Sequence, residues 1–115
     1  TSYLMPKELS IKKATNYSFS DSFARIECHY FMNNIFLEDN FILKNISKIK
    51  DIPLSIVQGR YDIVCPMRSA WDLKKSLPFS KLYVISNAGH SMKEVGITNK
   101  LIELTNELAD SLSNL

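Results

Sequence analysis

The sequence is poor in glycine and cysteine and has no long apolar run. Its three glycines are Gly59, Gly89 and Gly96, and their spacing leaves neither a phosphate-cradling glycine loop nor a G-x-S-x-G nucleophile elbow. The two cysteines, Cys28 and Cys65, are too few for a disulfide framework. No histidine and cysteine cluster has the spacing typical of metal ligands. We therefore expect no cofactor and no metal centre.

A strong excess of charge is also missing. The 115 residues carry a net charge of +2, which gives no reason to expect nucleic acid or an acidic membrane surface as a partner. No signal peptide, transit peptide or apolar run of membrane length is visible. With 45% hydrophobic residues, the composition is typical of globular material of one domain or less. We expect a cytoplasmic protein.

The central part of the sequence carries a strand–helix–strand pattern. LSIVQG (Leu54–Gly59) and KLYVIS (Lys81–Ser86) are short apolar runs whose residues suit a β-sheet. Between them, apolar residues recur at helical spacing from Met67 to Leu77, and Pro78 ends the pattern. A unit of this length is a parallel crossover. The predicted fold class is α/β, with two parallel strands and flanking helices.

An acid and a histidine follow the two predicted strands. Asp62 comes three residues after the first strand and His90 follows the second, so both belong beyond the carboxyl ends, where parallel sheets bind ligands. A carboxylate that holds one imidazole nitrogen lets the other act as a base, which is two-thirds of a hydrolytic triad. Each residue also has an ordinary alternative, since Asp62 could cap a helix or close a turn and His90 could be a surface or core residue.

The missing elbow determines how this pair is interpreted. In α/β-hydrolases the order along the chain is serine, acid, histidine, and the serine lies on G-x-S-x-G well before the acid. A nucleophile would therefore lie upstream of Thr1. We expect the sequence to be a C-terminal piece of such a hydrolase.

Helices are predicted on both sides of the central unit. The first is capped by Ser18 or Ser20 and ends at Met32, with an apolar stripe formed by Phe19, Phe23, Ile26 and Tyr30. Residues 1–15 are predicted to form a linker or a short helix around 7–14, residues 33–40 a polar turn and residues 41–49 a short helix. The apolar period becomes strand-like at Leu54, so we place a domain boundary at about Lys50.

The last predicted helix packs on the sheet through a stripe formed by Ile97, Leu101, Leu104, Leu108 and Leu112. Its polar face mixes acidic and basic residues, which disfavours a membrane or partner-binding role.

Within the first helix, Glu27 and Phe31 are one turn apart. A carboxylate beside an aromatic ring would suit a substrate that has a charged amine next to an apolar ring, as N-terminal proline does. The alternative from spacing alone is a solvated glutamate beside a packed phenylalanine.

Four segments together resemble the C-terminal part of the proline iminopeptidases, α/β-hydrolases that remove N-terminal proline from peptides. The segments are ARIECHYF (24–31), GRYDIVCP (59–66), SAWDL (69–73) and AGHS (88–91). The resemblance covers nearly the whole chain and is strongest from Phe23 onward. It implies the last helices of a helical cap domain over residues 1–50 and the C-terminal part of the hydrolase core over 51–115.

The resemblance also implies roles for individual residues. Asp62 would be the acid of the triad and His90 the base, Glu27 would bind the substrate amine, and Phe31 would line the proline pocket. The implied partners are a peptide with N-terminal proline and the remainder of the same hydrolase chain. A tryptophan–glutamate motif of the family's cap is absent, and Cys28 replaces the usual asparagine.

Two other functions stay open at this point. Another α/β-hydrolase, such as an esterase or epoxide hydrolase, would have no use for Glu27, because its substrates carry no amine. A non-catalytic interaction module could keep the same scaffold.

Three further predictions concern other residues of the central unit. Cys65 lies near the acid and could be a reactive thiol without being catalytic. Trp71 is predicted to lie in the core, and Arg60 and Tyr61 are predicted to brace the loop.

Overall fold

A computed structural model describes Leu4 and residues 16–113 of the chain. The chain divides into two compact units, one formed by Met5–Ser47 and the other by Thr1–Leu4 with Lys48–Leu115. The linker or short helix predicted around residues 7–14 lies outside the described residues. Among those that are described, no helix combines the length and the apolarity needed to cross a membrane.

The first unit contains helix α1, Tyr17–Met32. Its N-cap is Asn16, whose side-chain oxygen accepts the Phe19 N–H at 3.0 Å. The prediction that Ser18 or Ser20 caps the helix is therefore wrong, and both serines lie within its first turn. Asparagine and serine cap helices about equally well, so a preference for serine could not exclude the asparagine that precedes both serines in the chain.

Beyond α1 the chain is less regular than predicted. A 3₁₀ helix spans Asn34–Phe36 with left-handed backbone, φ being 51° at Asn34 and 58° at both Ile35 and Phe36. The Phe36 ring lies 5.4 Å, between centroids, from the rings of both His29 and Tyr30. The segment predicted as a polar turn thus closes an aromatic cluster on the end of α1.

The short helix predicted over residues 41–49 is two pieces. Helix α2 spans Phe41–Lys44, and a second 3₁₀ helix spans Ile46–Ile49. Between them, the Asn45 side chain donates to the Phe41 carbonyl at 2.9 Å. A side chain that bonds the backbone in this way competes with the helical ladder, which accounts for the break.

The second unit holds the sheet. Strands β1, Ser55–Gly59, and β2, Lys81–Ile85, pair in parallel from Ser55↔Lys81 to Gly59↔Ile85. Helix α3, Met67–Ser76, connects them, and helix α4, Val95–Ser113, follows β2. The predicted α/β fold with two parallel strands and flanking helices is confirmed.

A small apolar core supports this sheet. Its buried hydrophobic residues are Ala70, Leu77, Ala88 and Ile97. Helix α4 contacts β1, but the burial of its stripe declines along the helix, since Ile97 is 5% exposed and Leu112 61%. Burial of each such side chain contributes about 1.5–3 kcal/mol, so the beginning of α4 is its well-anchored part.

Trp71 does not lie in this core, contrary to the prediction. It is 53% exposed, whereas its neighbour Ala70 is buried. Successive helical residues point about 100° apart, and α3 directs Ala70 into the core. That rotation leaves the indole on the outer side.

Candidate active site

The loops after β1 and β2 touch because one residue between them has no side chain. A Cβ placed on Gly59 would lie 1.9 Å from the Gly89 carbonyl oxygen and 2.8 Å from that of Ala88. The Tyr61 N–H donates to the Ala88 carbonyl at 3.0 Å across the same junction. Only glycine permits so close a backbone approach. Gly59 therefore determines how near the loop of Asp62 comes to the loop of His90.

Asp62 and His90 form a direct pair at this junction. His90 Nδ1 lies 3.0 Å from Asp62 Oδ2. The carboxyl side chain is 7% exposed and the imidazole 37%. A buried carboxylate and a more accessible ring are what an acid–base pair needs, because the carboxylate orients the ring while the ring reaches the reactant.

Both oxygens of the Asp62 carboxylate also accept other hydrogen bonds. Its Oδ1 accepts the Cys65 N–H at 2.8 Å, and Gln58 Nε2 donates both to Oδ2 at 3.3 Å and to the Cys65 carbonyl at 3.0 Å. Asp62 thus closes a turn in addition to holding His90. It does not cap α3, whose N-cap is Pro66 without a side-chain bond.

These contacts keep Asp62 ionised. Burial raises the pKa of its carboxyl group, but the Cys65 N–H, the hydrogen bond and charge of His90 and the Val64 N–H lower it by more. The net pKa lies below the ordinary value of 3.8. At neutral pH the carboxylate is therefore negative and can accept a hydrogen bond from His90 Nδ1.

A second acid, Glu94, stabilises the loop that carries His90. Its side chain is buried, and Oε1 accepts the Gly89 N–H at 2.8 Å, while the Leu4 N–H lies 3.3 Å from both carboxylate oxygens. The Glu94 carbonyl also accepts the Thr98 N–H at 2.9 Å in the first turn of α4. Glu94 therefore ties the residue before His90 to the start of that helix. Sequence reasoning missed it, and the only available signal was an acid next to a predicted helix start.

The other predicted site residues lie in two places. Cys65 is exposed, and its Sγ lies within 4.8 Å of ligand atoms of both Asp62 and His90. Glu27 and Phe31 lie one turn apart on α1 in the first unit, where both are exposed. The substrate-binding roles of Glu27 and Phe31 stay predictions, as do the catalytic roles of Asp62 and His90.

The fold and the pair define a class of protein. The two strands are parallel, a crossover helix connects them and another helix follows. Beyond their carboxyl ends lie a paired acid and histidine. This arrangement is that of the C-terminal part of an α/β-hydrolase. No family model matches the chain.

Individual relatives are more informative. A probable proline iminopeptidase of Leptolyngbya boryana is 55% identical over 97 residues, which are 84% of this chain and 30% of that protein. The proline iminopeptidase of Arabidopsis thaliana is 48% identical over 103 residues, 89% of this chain and 27% of the relative. The one of Xanthomonas citri is 41% identical over 110 residues, with corresponding shares of 95% and 35%.

The chain is thus homologous, over most of its length, to part of the proline iminopeptidases. This confirms the resemblance carried by the four sequence segments. The chain spans about a third of the length of the curated relatives it matches, between 27% and 35% for these three.

Proposed function

We propose that this chain is the C-terminal part of a serine aminopeptidase that releases N-terminal proline from peptides. The observation that carries the proposal is the 3.0 Å contact of His90 Nδ1 with the buried Asp62 carboxylate, in a chain whose relatives are named proline iminopeptidases. Residues 1–50 would belong to a helical cap and residues 51–115 to the hydrolase core. The nucleophilic serine would come from the remainder of the same protein.

The proposed chemistry follows from the orientation of the imidazole. Asp62 accepts the Nδ1–H, which leaves the lone pair of His90 on Nε2. That nitrogen takes the serine proton as the serine oxygen attacks the prolyl carbonyl carbon, and Asp62 stabilises the resulting imidazolium. The imidazolium then protonates the leaving amine, and water hydrolyses the prolyl-enzyme ester by the same steps.

Glu27 and Phe31 are the proposed substrate-binding residues. The Glu27 carboxylate would pair with the secondary ammonium of the N-terminal proline, and the Phe31 ring would contact the pyrrolidine. Their i,i+4 spacing on α1 places a charge beside an apolar ring, which matches those two parts of the substrate. An esterase or epoxide hydrolase would have no cation to pair with Glu27.

Hydrolysis of a proline arylamide by the full-length protein tests the proposal. We expect turnover that disappears in His90→Ala and is far slower on an arylamide whose amino group is acetylated. Equal rates on the free and the acetylated substrate would favour a general hydrolase. No turnover of either substrate would favour a non-catalytic module on this scaffold.

A further inference from the structure

The loop after β1 places a third metal-binding side chain next to the acid–histidine pair. A carboxylate oxygen of Asp62, the Sγ of Cys65 and a ring nitrogen of His90 all lie within 4.8 Å of one another. Carboxylate, thiolate and imidazole together suit zinc and cobalt more than magnesium or calcium. We infer that Asp62, Cys65 and His90 form an inhibitory binding site for a thiophilic divalent cation such as Zn²⁺.

The distances suit a tetrahedral ion. Metal–ligand bonds of about 2.0–2.3 Å place neighbouring ligand atoms about 3.4–3.7 Å apart in a tetrahedron. The three donors start within 4.8 Å of one another, and the His90 Nδ1 to Asp62 Oδ2 distance is 3.0 Å. Shifts of about 1 Å in the donor atoms therefore bring them to the separations that the ion needs. Rotation of the Cys65 side chain supplies most of that shift. Water takes the fourth position, as in other three-ligand zinc sites.

Cys65 is held at this position by its backbone. Its N–H donates to Asp62 Oδ1 at 2.8 Å, and its carbonyl accepts from Gln58 Nε2 at 3.0 Å. Gln58 also donates to Asp62 Oδ2. The cysteine and the acid thus belong to one hydrogen-bonded turn, and such outer contacts orient metal ligands. Exposure of Cys65 leaves a path for the ion to enter.

Binding redistributes two protons. The Cys65 thiol releases its proton to solvent as the sulfur–metal bond forms, whereas Asp62 is already ionised. His90 offers the Nδ1 lone pair, so its single ring proton is carried on Nε2. The hydrogen bond between Asp62 and His90 is replaced by a bond from each to the ion.

The same proton shift blocks catalysis, a step that rests on the proposed function. With its proton on Nε2, His90 cannot accept the proton of a serine. The ion therefore acts as an inhibitor rather than a cofactor. Metal binding itself does not depend on the peptidase activity, so the two ideas can fail separately.

Cobalt titration of the full-length protein tests the site directly. A Co²⁺–thiolate bond gives a charge-transfer absorption band that reports the sulfur ligand. We expect the band to saturate at one ion, to be displaced by Zn²⁺ and to vanish in Cys65→Ser. Cys28→Ser is the matched control, because Cys28 is the other exposed cysteine and is not among these ligands. Asp62→Asn should weaken Co²⁺ binding by about tenfold or more.

Inhibition is measured in parallel, each variant being compared with its own metal-free rate. Zn²⁺ should inhibit proline arylamide hydrolysis by the wild type and by Cys28→Ser, at concentrations at least about tenfold lower than for Cys65→Ser. A Co²⁺–thiolate band in a full-length protein that does not hydrolyse proline arylamides would support the site and refute the peptidase proposal. A band that persists in Cys65→Ser, that vanishes in Cys28→Ser, or that never forms in active wild-type protein would overturn the site.

Discussion

The two compact units differ in how they hold their proposed functional residues. In the second unit, Asp62 and His90 are fixed by contacts to backbone and to Gln58, above a small buried core. In the first, none of the residues described in α1, α2 and the 3₁₀ helix Asn34–Phe36 is buried. Its apolar stripe is instead roughly half exposed, at Phe19, Phe23, Ile26 and Tyr30.

This difference separates the residues proposed for chemistry from those proposed for recognition. One strand–helix–strand segment suffices to bring Asp62 to His90, because backbone hydrogen bonds and one glycine contact set their distance. Helix α1 determines only that Glu27 and Phe31 share a face. We therefore expect substitutions near Asp62 to act on the rate of the chemical step, and substitutions near Glu27 to act on the choice of substrate.

The largest expected effect is that of Asp62→Asn in the full-length protein. The amide keeps the shape but cannot stabilise the imidazolium, so kcat should fall by about 10⁴-fold, as the same change does in a serine protease triad. Asp72→Asn is the control, because Asp72 forms an i,i+4 ion pair with Arg68 on the surface of α3 and such pairs contribute little. A loss below tenfold in steady-state assays would show that Asp62 is not the acid.

Gly59→Ala should have the next largest effect. The new methyl group collides with the backbone at Gly89, so the loops must separate, and a displacement of about 1 Å costs about 10²-fold in rate. The matched change is Gly96→Ala, whose methyl group meets the Ile85 side chain at 2.6 Å, a neighbour that is easier to move than backbone. Comparable losses of kcat in the two variants would contradict the special role of the Gly59 contact.

Glu27→Gln tests the recognition side of the comparison. Leaving the substrate ammonium unpaired costs about 2–5 kcal/mol, which lowers kcat/KM for proline arylamides by about 30-fold or more. Simple esters without an amine should be hydrolysed at nearly the wild-type rate, and Glu38→Gln should change neither rate. Equal losses on both substrates would assign Glu27 to the fold instead.

Glu94→Gln should have a smaller effect, at the support of the histidine loop. The amide still accepts one hydrogen bond but loses the charge that strengthens the contact with the Gly89 N–H, at a cost of about 1–2 kcal/mol. Chemical denaturation measures that loss of stability, and kcat should fall by less than about tenfold with KM unchanged. Glu103→Gln removes an exposed partner of Lys100 and should leave both quantities as they are.

The smallest effect concerns pH. Because the pKa of Asp62 is depressed in the folded state, its contribution to the free energy of unfolding is present above the ordinary value of 3.8 and is lost as pH falls through the folded value. The stability advantage of wild type over Asp62→Asn should therefore shrink as the solution is acidified below that value. An advantage that grows on acidification would reverse the sign of the proposed shift.

Much of the second unit could be predicted from its sequence. The strands and α3 agree with their predicted bounds to within a residue, since apolar runs bounded by Gly59 and Pro78 carry local signals that tertiary contacts did not override. Placing Asp62 and His90 beyond parallel strands required only that those strands pair. Local reasoning was weaker around α1, where Asn16 capped the helix in place of a serine.

Sequence alone therefore determined the α/β class, the relation to the proline iminopeptidases and the selection of Asp62 and His90 as the candidate pair. Tertiary structure alone decided the roles of Glu94 and Gln58, the exposure of Trp71 and the approach of Cys65 to the pair. The physical reason is the separation along the chain over which each interaction acts. Hydrophobic period and turn residues act between neighbours in the chain, whereas a buried carboxylate finds its N–H and a thiol its neighbouring ligands only after separate segments have packed together.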